Sequence, residues 1–397
     1  MKIPFLDISR QNKAVMDEIN TAMVDIFAKN SFIGGEYVLD FEREVADYLG
    51  VKNVVSCGNG TDALILALRA CGVGAGDEVI TTAFSFFATA EAIAYVGAKP
   101  VFVDIRERDY LIDPDMIEGK ITDRTKAILP VHIFGAPCDM DGIKAIADKH
   151  SLKVIEDAAQ AIGSRYRGKY IGNFGDITCF SFYPTKNLGG CGDGGMVTTE
   201  NDDLYTILSA FHEHGAGKNG AVAKGLMDGE EYTFSIDEKT GNSYDPYRYY
   251  NYLIGCNSRL DAIQAAILSI KLKHLGEYNK ERANIAGRYT DGLCHEVRKP
   301  VYGDDIKPCW HQYVVLSPLK YELCDYLSEK GIGVGTFYPV PLHLQKAFAE
   351  LDYKEGKLPV AERICNESIC LPIYPGLTDE EVDAVIGCVN QFFKERA

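Results

Sequence analysis

Nowhere does the sequence string together the roughly 18 apolar residues that a membrane-spanning helix needs. The opening MKIPFLDISRQNK has no apolar core of the kind that marks a secretory leader, so the expectation is a cytoplasmic protein. Positive charge is also scarce: 41 Lys and Arg stand against 57 Asp and Glu, a net charge of −16. That balance argues against a nucleic-acid or anionic-membrane surface, since both need excess positive charge. A small anionic ligand stays possible, because it needs only a few local donors. The 12 cysteines form no CxxC pair and no Cys/His cluster at zinc spacing, and they read as reduced thiols of the core. His212 and His214 have no third ligand nearby, so no metal is expected.

What the sequence does have, from about residue 35 to 200, is an alternation of helix-period segments with short apolar runs. The runs are NVVSC (53–57), DEVITT (77–82), PVFVDI (100–105), AILPVHIF (127–134), KVIED (153–157), ITCFSF (177–182) and GMVTT (195–199). Lacking strict polar alternation, they suit strands covered on both faces. Helices are read at 61–72, 88–97 and 140–150, and repeated strand-helix-strand units predict an α/β fold with a mostly parallel sheet. After a helix over 201–214 the pattern breaks, and 216–252 reads as a long loop or hairpin excursion. A long amphipathic helix (about 259–291) leads to a second α+β unit, with a strand at 311–317, a helix at 321–331 and a last helix from Asp379. The expected division is a large domain, 1–268, and a smaller C-terminal one, 269–397.

In open parallel sheets ligands sit beyond the carboxyl ends of the strands, so polar residues there come first. One is the glycine turn CGNGTD (57–62), whose free amides, helix dipole and Thr61 hydroxyl suit a phosphate. It reads equally as a plain turn with Thr61 or Asp62 as helix cap. The second is Asp157, ending the run KVIED; buried, it needs a positive or hydrogen-bonding partner, and it also reads as an N-cap. The third is Lys186 in FSFYPTKNLGG. In an apolar pocket such an amine loses proton affinity and becomes a nucleophile toward an aldehyde; on the surface it would simply snorkel. A phosphate cradle, an acid for a pyridinium nitrogen and an amine for an aldehyde, taken together, are what pyridoxal 5′-phosphate requires.

At these residues the chain resembles the DegT/DnrJ/EryC1/StrS sugar aminotransferases, of the aspartate-aminotransferase fold (fold type I). The likeness runs in order through GGEYVLDFEREVADYLG, GNGTDALILAL, FSFFATAEAI, PVFVDI, EDAAQAIGS, FSFYPTKNLGGCGDGGMV, GCNSRLDAIQAAIL and FYPVPLHLQ. It implies a catalytic pair: Lys186, which bonds to the cofactor's aldehyde, and Asp157, the partner of its ring nitrogen. It also implies that the turn Gly60, Thr61 and Asp62, together with Ser181, holds the phosphate. Gln160 would lie near the phenolic oxygen, and Phe86 on the ring face. Asn257, in GCNSRLD, would reach the phosphate of the other subunit, making the protein a homodimer whose site spans the interface; it also reads as a helix start. Tyr183, Tyr338 and His343 would meet the substrate. The implied reaction moves an amino group from L-glutamate to a UDP- or dTDP-linked keto-sugar, at C3 in preference to C4. Related dehydratases carry histidine where this chain has Lys186, and a non-catalytic sugar sensor would have lost the amine or its acid. The stretch between Gly215 and Gly255 is longer than the resemblance implies.

Overall fold

The structure, a computed structural model, describes residues 2–230 and 250–396. Its centre is a seven-stranded sheet of β1 (Asn53–Cys57), β2 (Glu78–Thr82), β3 (Lys99–Val103), β4 (Thr125–Leu129), β5 (Lys153–Asp157), β6 (Ile177–Ser181) and β7 (Gly195–Thr199). The spatial order is β1-β7-β6-β5-β4-β2-β3. Neighbours from β6 through β5, β4 and β2 to β3 are parallel. Every residue of β2 is buried, as a strand covered on both faces requires. The helices Gly60–Ala70, Ala88–Tyr95 and Met140–His150 fill the crossovers, and the first of them buries Ala63, Leu64, Leu66, Ala67 and Leu68 against the sheet.

Only β7 runs against both of its neighbours, β6 and β1. The chain therefore leaves β6 and re-enters the sheet at the same edge, through the loop 182–194. Paired amides close the base of that loop: Phe182 N donates to Gly194 O and Gly190 N to Phe182 O, both at 2.8 Å. Lys186 lies within it.

A second core gathers around the antiparallel strands Tyr313–Leu316 and Ser368–Leu371. Tyr289, Leu323, Val385 and Phe392 from three flanking helices pack there. Ile3 joins this core, and Arg10 grips Glu381 with two hydrogen bonds of 2.6 and 2.7 Å, so the N-terminal residues lie on the C-terminal unit. Among the described residues no helix is long and apolar enough to cross a membrane.

Three expectations change. The helix expected over 259–291 is two, Ala262–Leu272 and Leu275–Gly292. The break at Lys273 and His274 lets the first half stay against the N-terminal helices while the second crosses to the second core. The excursion opens with a helix, Gly217–Asp228, rather than a loop. Three glycines weaken its helical signal, yet Gly220 is needed, since a Cβ there would stand 2.0 Å from Gly215 O; residues 231–249 lie outside the described ones. The third concerns the cysteines: six are buried and five half-buried, but Cys191 is exposed.

Candidate active site

The segments leaving β1, β2, β4, β5 and β6, and the one entering β7, meet at one edge of the sheet around a cavity of about 810 Å³. Residues 311–312 and 337–338 close it from the other side. Of the sequence candidates, Gly60, Thr61, Phe86, Asp157, Gln160, Ser181, Tyr183, Lys186 and Tyr338 all line it.

The cradle begins at Asn59, which caps the helix Gly60–Ala70 by accepting from Asp62 N at 2.8 Å. The cap is thus neither Thr61 nor Asp62. Amides in a helix's first turn have no partner within the helix, and here they open on the cavity with the Thr61 and Ser181 hydroxyls. Close packing keeps the turn in place. A Cβ on Gly60 would come within 2.7 Å of Ser181 Cβ, and one on Gly195 within 2.4 Å of the Asn59 carbonyl.

Asp157 ends β5 and is 5% exposed. Its Oδ2 accepts from Thr89 Oγ1 at 2.7 Å and its Oδ1 from Ala159 N at 3.1 Å. Its backbone is pinned by Pro130 O and His132 N. Across the cavity Lys186 is half-buried, on a turn in which its own N–H bonds to Tyr183 O at 2.8 Å. Burial lowers its ammonium pKa to about 8, against the opposing pull of the Asp157 carboxylate. An appreciable share of free amine is therefore present near neutrality. Gln160 Oε1 accepts from Phe134 N (2.7 Å), which fixes the amide so that Nε2 donates to the Tyr338 hydroxyl at 3.0 Å. Burial raises the Tyr338 phenol well above its ordinary range, so it stays protonated. Phe86, 57% exposed, reaches over the mouth 6.0 Å from the Tyr338 ring.

Asp62, Asn257 and His343 are not among the lining residues. The Asp62 carboxylate accepts from Ser258 Oγ at 2.6 Å. Asn257 is exposed and bridges backbone-to-backbone with Glu213, which also pairs with Arg259 at 3.2 Å. His343 is 2% exposed; its Nε2 meets Glu362 Oε1 at 3.0 Å and its ring packs near Phe102 and Tyr353. Flanked by leucines, it is paired with Glu362 behind the loop that carries Tyr338 and does not line the cavity.

Sequence reasoning missed Ser85, Thr89 and His311. The His311 tautomer follows from its neighbours. Asn187 Nδ2 donates to Cys309 O and Asn279 Oδ1, both at 2.8 Å, so Asn187 Oδ1 must accept from His311 Nδ1–H at 3.1 Å. Burial, then the charges of Lys186 and Arg282, push the imidazole well below its usual pKa and keep it neutral. The histidine opening the run HQYVV was the available signal. Among the described residues no group of His, Cys, Asp and Glu is placed to hold a metal.

A helix-end cradle, a buried acid and an amine of lowered proton affinity around one cavity fit pyridoxal 5′-phosphate, on an α/β frame of the fold type I transferases. The chain belongs to the DegT/DnrJ/EryC1/StrS aminotransferase family, which it matches over residues 13–390, and is a transaminase dependent on that cofactor. It is 42% identical to a pleiotropic regulatory protein of Geobacillus stearothermophilus, over 100% of both chains. It is 41% identical to the UDP-N-acetyl-3-dehydro-alpha-D-glucosamine 3-aminotransferase of Acidithiobacillus ferrooxidans, over 98% of this chain and 97% of that one. Among solved structures, NtdA of Bacillus subtilis with bound PMP superposes with a TM-score of 0.85 at 32% identity, covering 99% of this chain and 85% of that one.

Proposed function

We propose that the enzyme transfers the amino group of L-glutamate to the C3 keto carbon of a UDP- or dTDP-linked sugar, as a cytoplasmic homodimer. The observation that carries this reading is the placing of Lys186 and Asp157 in one cavity with a helix-end phosphate cradle. The 41% identity to a UDP-sugar 3-aminotransferase supports the substrate class.

Bound cofactor supplies a ring that draws electrons from the carbon losing its proton. Thr61, Ser181 and the amides of the helix's first turn hold the phosphate; the Asp62 amide, spent on Asn59, is left out of that set. With the cofactor bound, Asp157 would face the ring nitrogen and hold its proton, Gln160 Nε2 would face the phenolic oxygen, and Phe86 would cover the ring face. Lys186 would be the amine that anchors the aldehyde. Once freed, its Nζ takes the proton from the donor's α-carbon and later delivers one to the sugar carbon that receives the nitrogen. Tyr183 and Tyr338 meet the sugar. Asn257, exposed outside the cavity, serves the site of a second copy. A division near residue 268 would fall inside the helix Ala262–Leu272, so the unit boundary fits better at the break between that helix and Leu275–Gly292, with the N-terminal residues on the C-terminal unit. Lys186 speaks against a dehydratase. One relative is called regulatory, yet here amine, acid and cradle all stand in one cavity, which supports catalysis.

The test is to incubate the purified protein with glutamate and a panel of UDP- and dTDP-linked 3-keto and 4-keto sugars, following the products by mass. Amination of a 3-keto sugar is expected. Amination of 4-keto sugars alone would move the reaction to C4, and amination of none, while glutamate still reacts, would remove the sugar assignment.

A further inference from the structure

Asp157 has a support that lies outside the set of residues facing the cofactor. In three helices of this chain a threonine hydroxyl bonds to the carbonyl four residues back: Thr21 to Asp17 O and Thr206 to Asp202 O, both at 2.9 Å, and Thr290 to Ala286 O at 2.8 Å. That is the ordinary local habit of a helical threonine. Thr89, second residue of the helix Ala88–Tyr95, has no helical carbonyl four residues back to bond. Fully buried, it sends its hydroxyl out of the helix to Asp157 Oδ2 at 2.7 Å, while Ser85 Oγ lies 2.7 Å from Thr89 Oγ1.

The proton order is determined. An ionised carboxylate only accepts, so the single Thr89 proton points at Asp157, and Ser85 must then donate to Thr89. Ser85, 3% exposed, lines the cavity. The result is a one-way chain, Ser85 to Thr89 to Asp157, whose members polarise one another. It aims the carboxylate, since Ala159 N holds Oδ1 and Thr89 holds Oδ2, so that neither oxygen turns freely. A β-branched side chain suits this arrangement, because in a helix its χ1 is restricted and the hydroxyl is held ready for its acceptor.

We infer that Thr89, backed by Ser85, is a positioning residue that aims the Asp157 carboxylate at the cofactor's ring nitrogen. The inference rests on the proposed role of Asp157. It is tested with Thr89→Val, which keeps the shape and removes the hydroxyl, beside Thr89→Ser, which keeps the hydroxyl, and Ser85→Ala. The readouts are the pyridoxal phosphate dissociation constant, the pH titration of the bound chromophore and the melting temperature of the cofactor-free protein. Thr89→Val should weaken binding about tenfold, the equivalent of one hydrogen bond to a charged group, and displace the chromophore's titration. Thr89→Ser should stay within about twofold of wild type, and Ser85→Ala should fall between them. A purely packing role would lower the melting temperature of Thr89→Val and leave the titration where it was, which overturns the inference. So does a Thr89→Val protein that binds and titrates like wild type. A wild-type protein that takes up no cofactor overturns the reading of the site as well.

Discussion

At the scale of single residues, the site turns on how far burial has loosened one proton. Lys186 has a pKa near 8 because its ammonium is desolvated, and the nearby carboxylate restores only part of what solvent gave. Below that pH the amine is mostly charged and cannot attack; above it the amine is mostly free. The rate at which cofactor-free protein takes up pyridoxal phosphate should therefore rise through a midpoint near 8, and a midpoint beyond about 10, the range of an exposed lysine, would contradict the burial. Lys186→Ala should no longer be trapped covalently to the cofactor by borohydride. Asp157 stood out in the sequence because it ends an apolar run, and Lys186, in the glycine-rich turn four residues past another such run, stood out only together with that acid and the phosphate turn. Thr89 and His311 did not. Each acts through a partner far along the chain, Asp157 in one case and Asn187 in the other, and no local pattern records such a pairing. His343 looked like a ligand contact for the converse reason: sequence does not tell which way a histidine between leucines faces.

Among the elements, the turn before the helix Gly60–Ala70 depends on contact with the strand beside it. Gly195 opens β7 directly against the Asn59 carbonyl, with no room for a methyl group. Gly195→Ala should cost roughly 1–3 kcal/mol, read from a denaturant midpoint, and should loosen the cofactor by shifting the cradle. A variant with unchanged stability and cofactor affinity would mean that the turn yields without consequence. The strands of the large sheet were legible because runs buried on both faces are continuously apolar. Less legible were Ser368–Leu371, a short strand whose pairing partner, Tyr313–Leu316, is distant along the chain, and the helix Gly217–Asp228, whose glycines hide its periodicity.

Over the whole molecule, a buried cation that has no acidic partner among the described residues ties residues 310–311, at the cavity wall, to Ile373 of the second core. Arg282 Nη1 donates to the carbonyls of Trp310, His311 and Ile373 at 3.3, 3.3 and 2.8 Å, and burial lowers its pKa to about 10. Arg282→Met should leave those carbonyls without their donor, at a cost of about 1–3 kcal/mol in urea unfolding. It should also disturb His311, whose backbone the guanidinium holds; an unchanged unfolding midpoint would show that other groups or water satisfy the carbonyls.

The cavity at the sheet edge has a kinetic corollary. Donor and acceptor both need Lys186, and one chamber surrounds it, so the two reactants must take turns as tenants of the same room. The amino donor has to leave as its keto acid before the acceptor can enter. Double-reciprocal plots at several fixed donor concentrations should then run parallel, and an excess of either reactant should shut the other out.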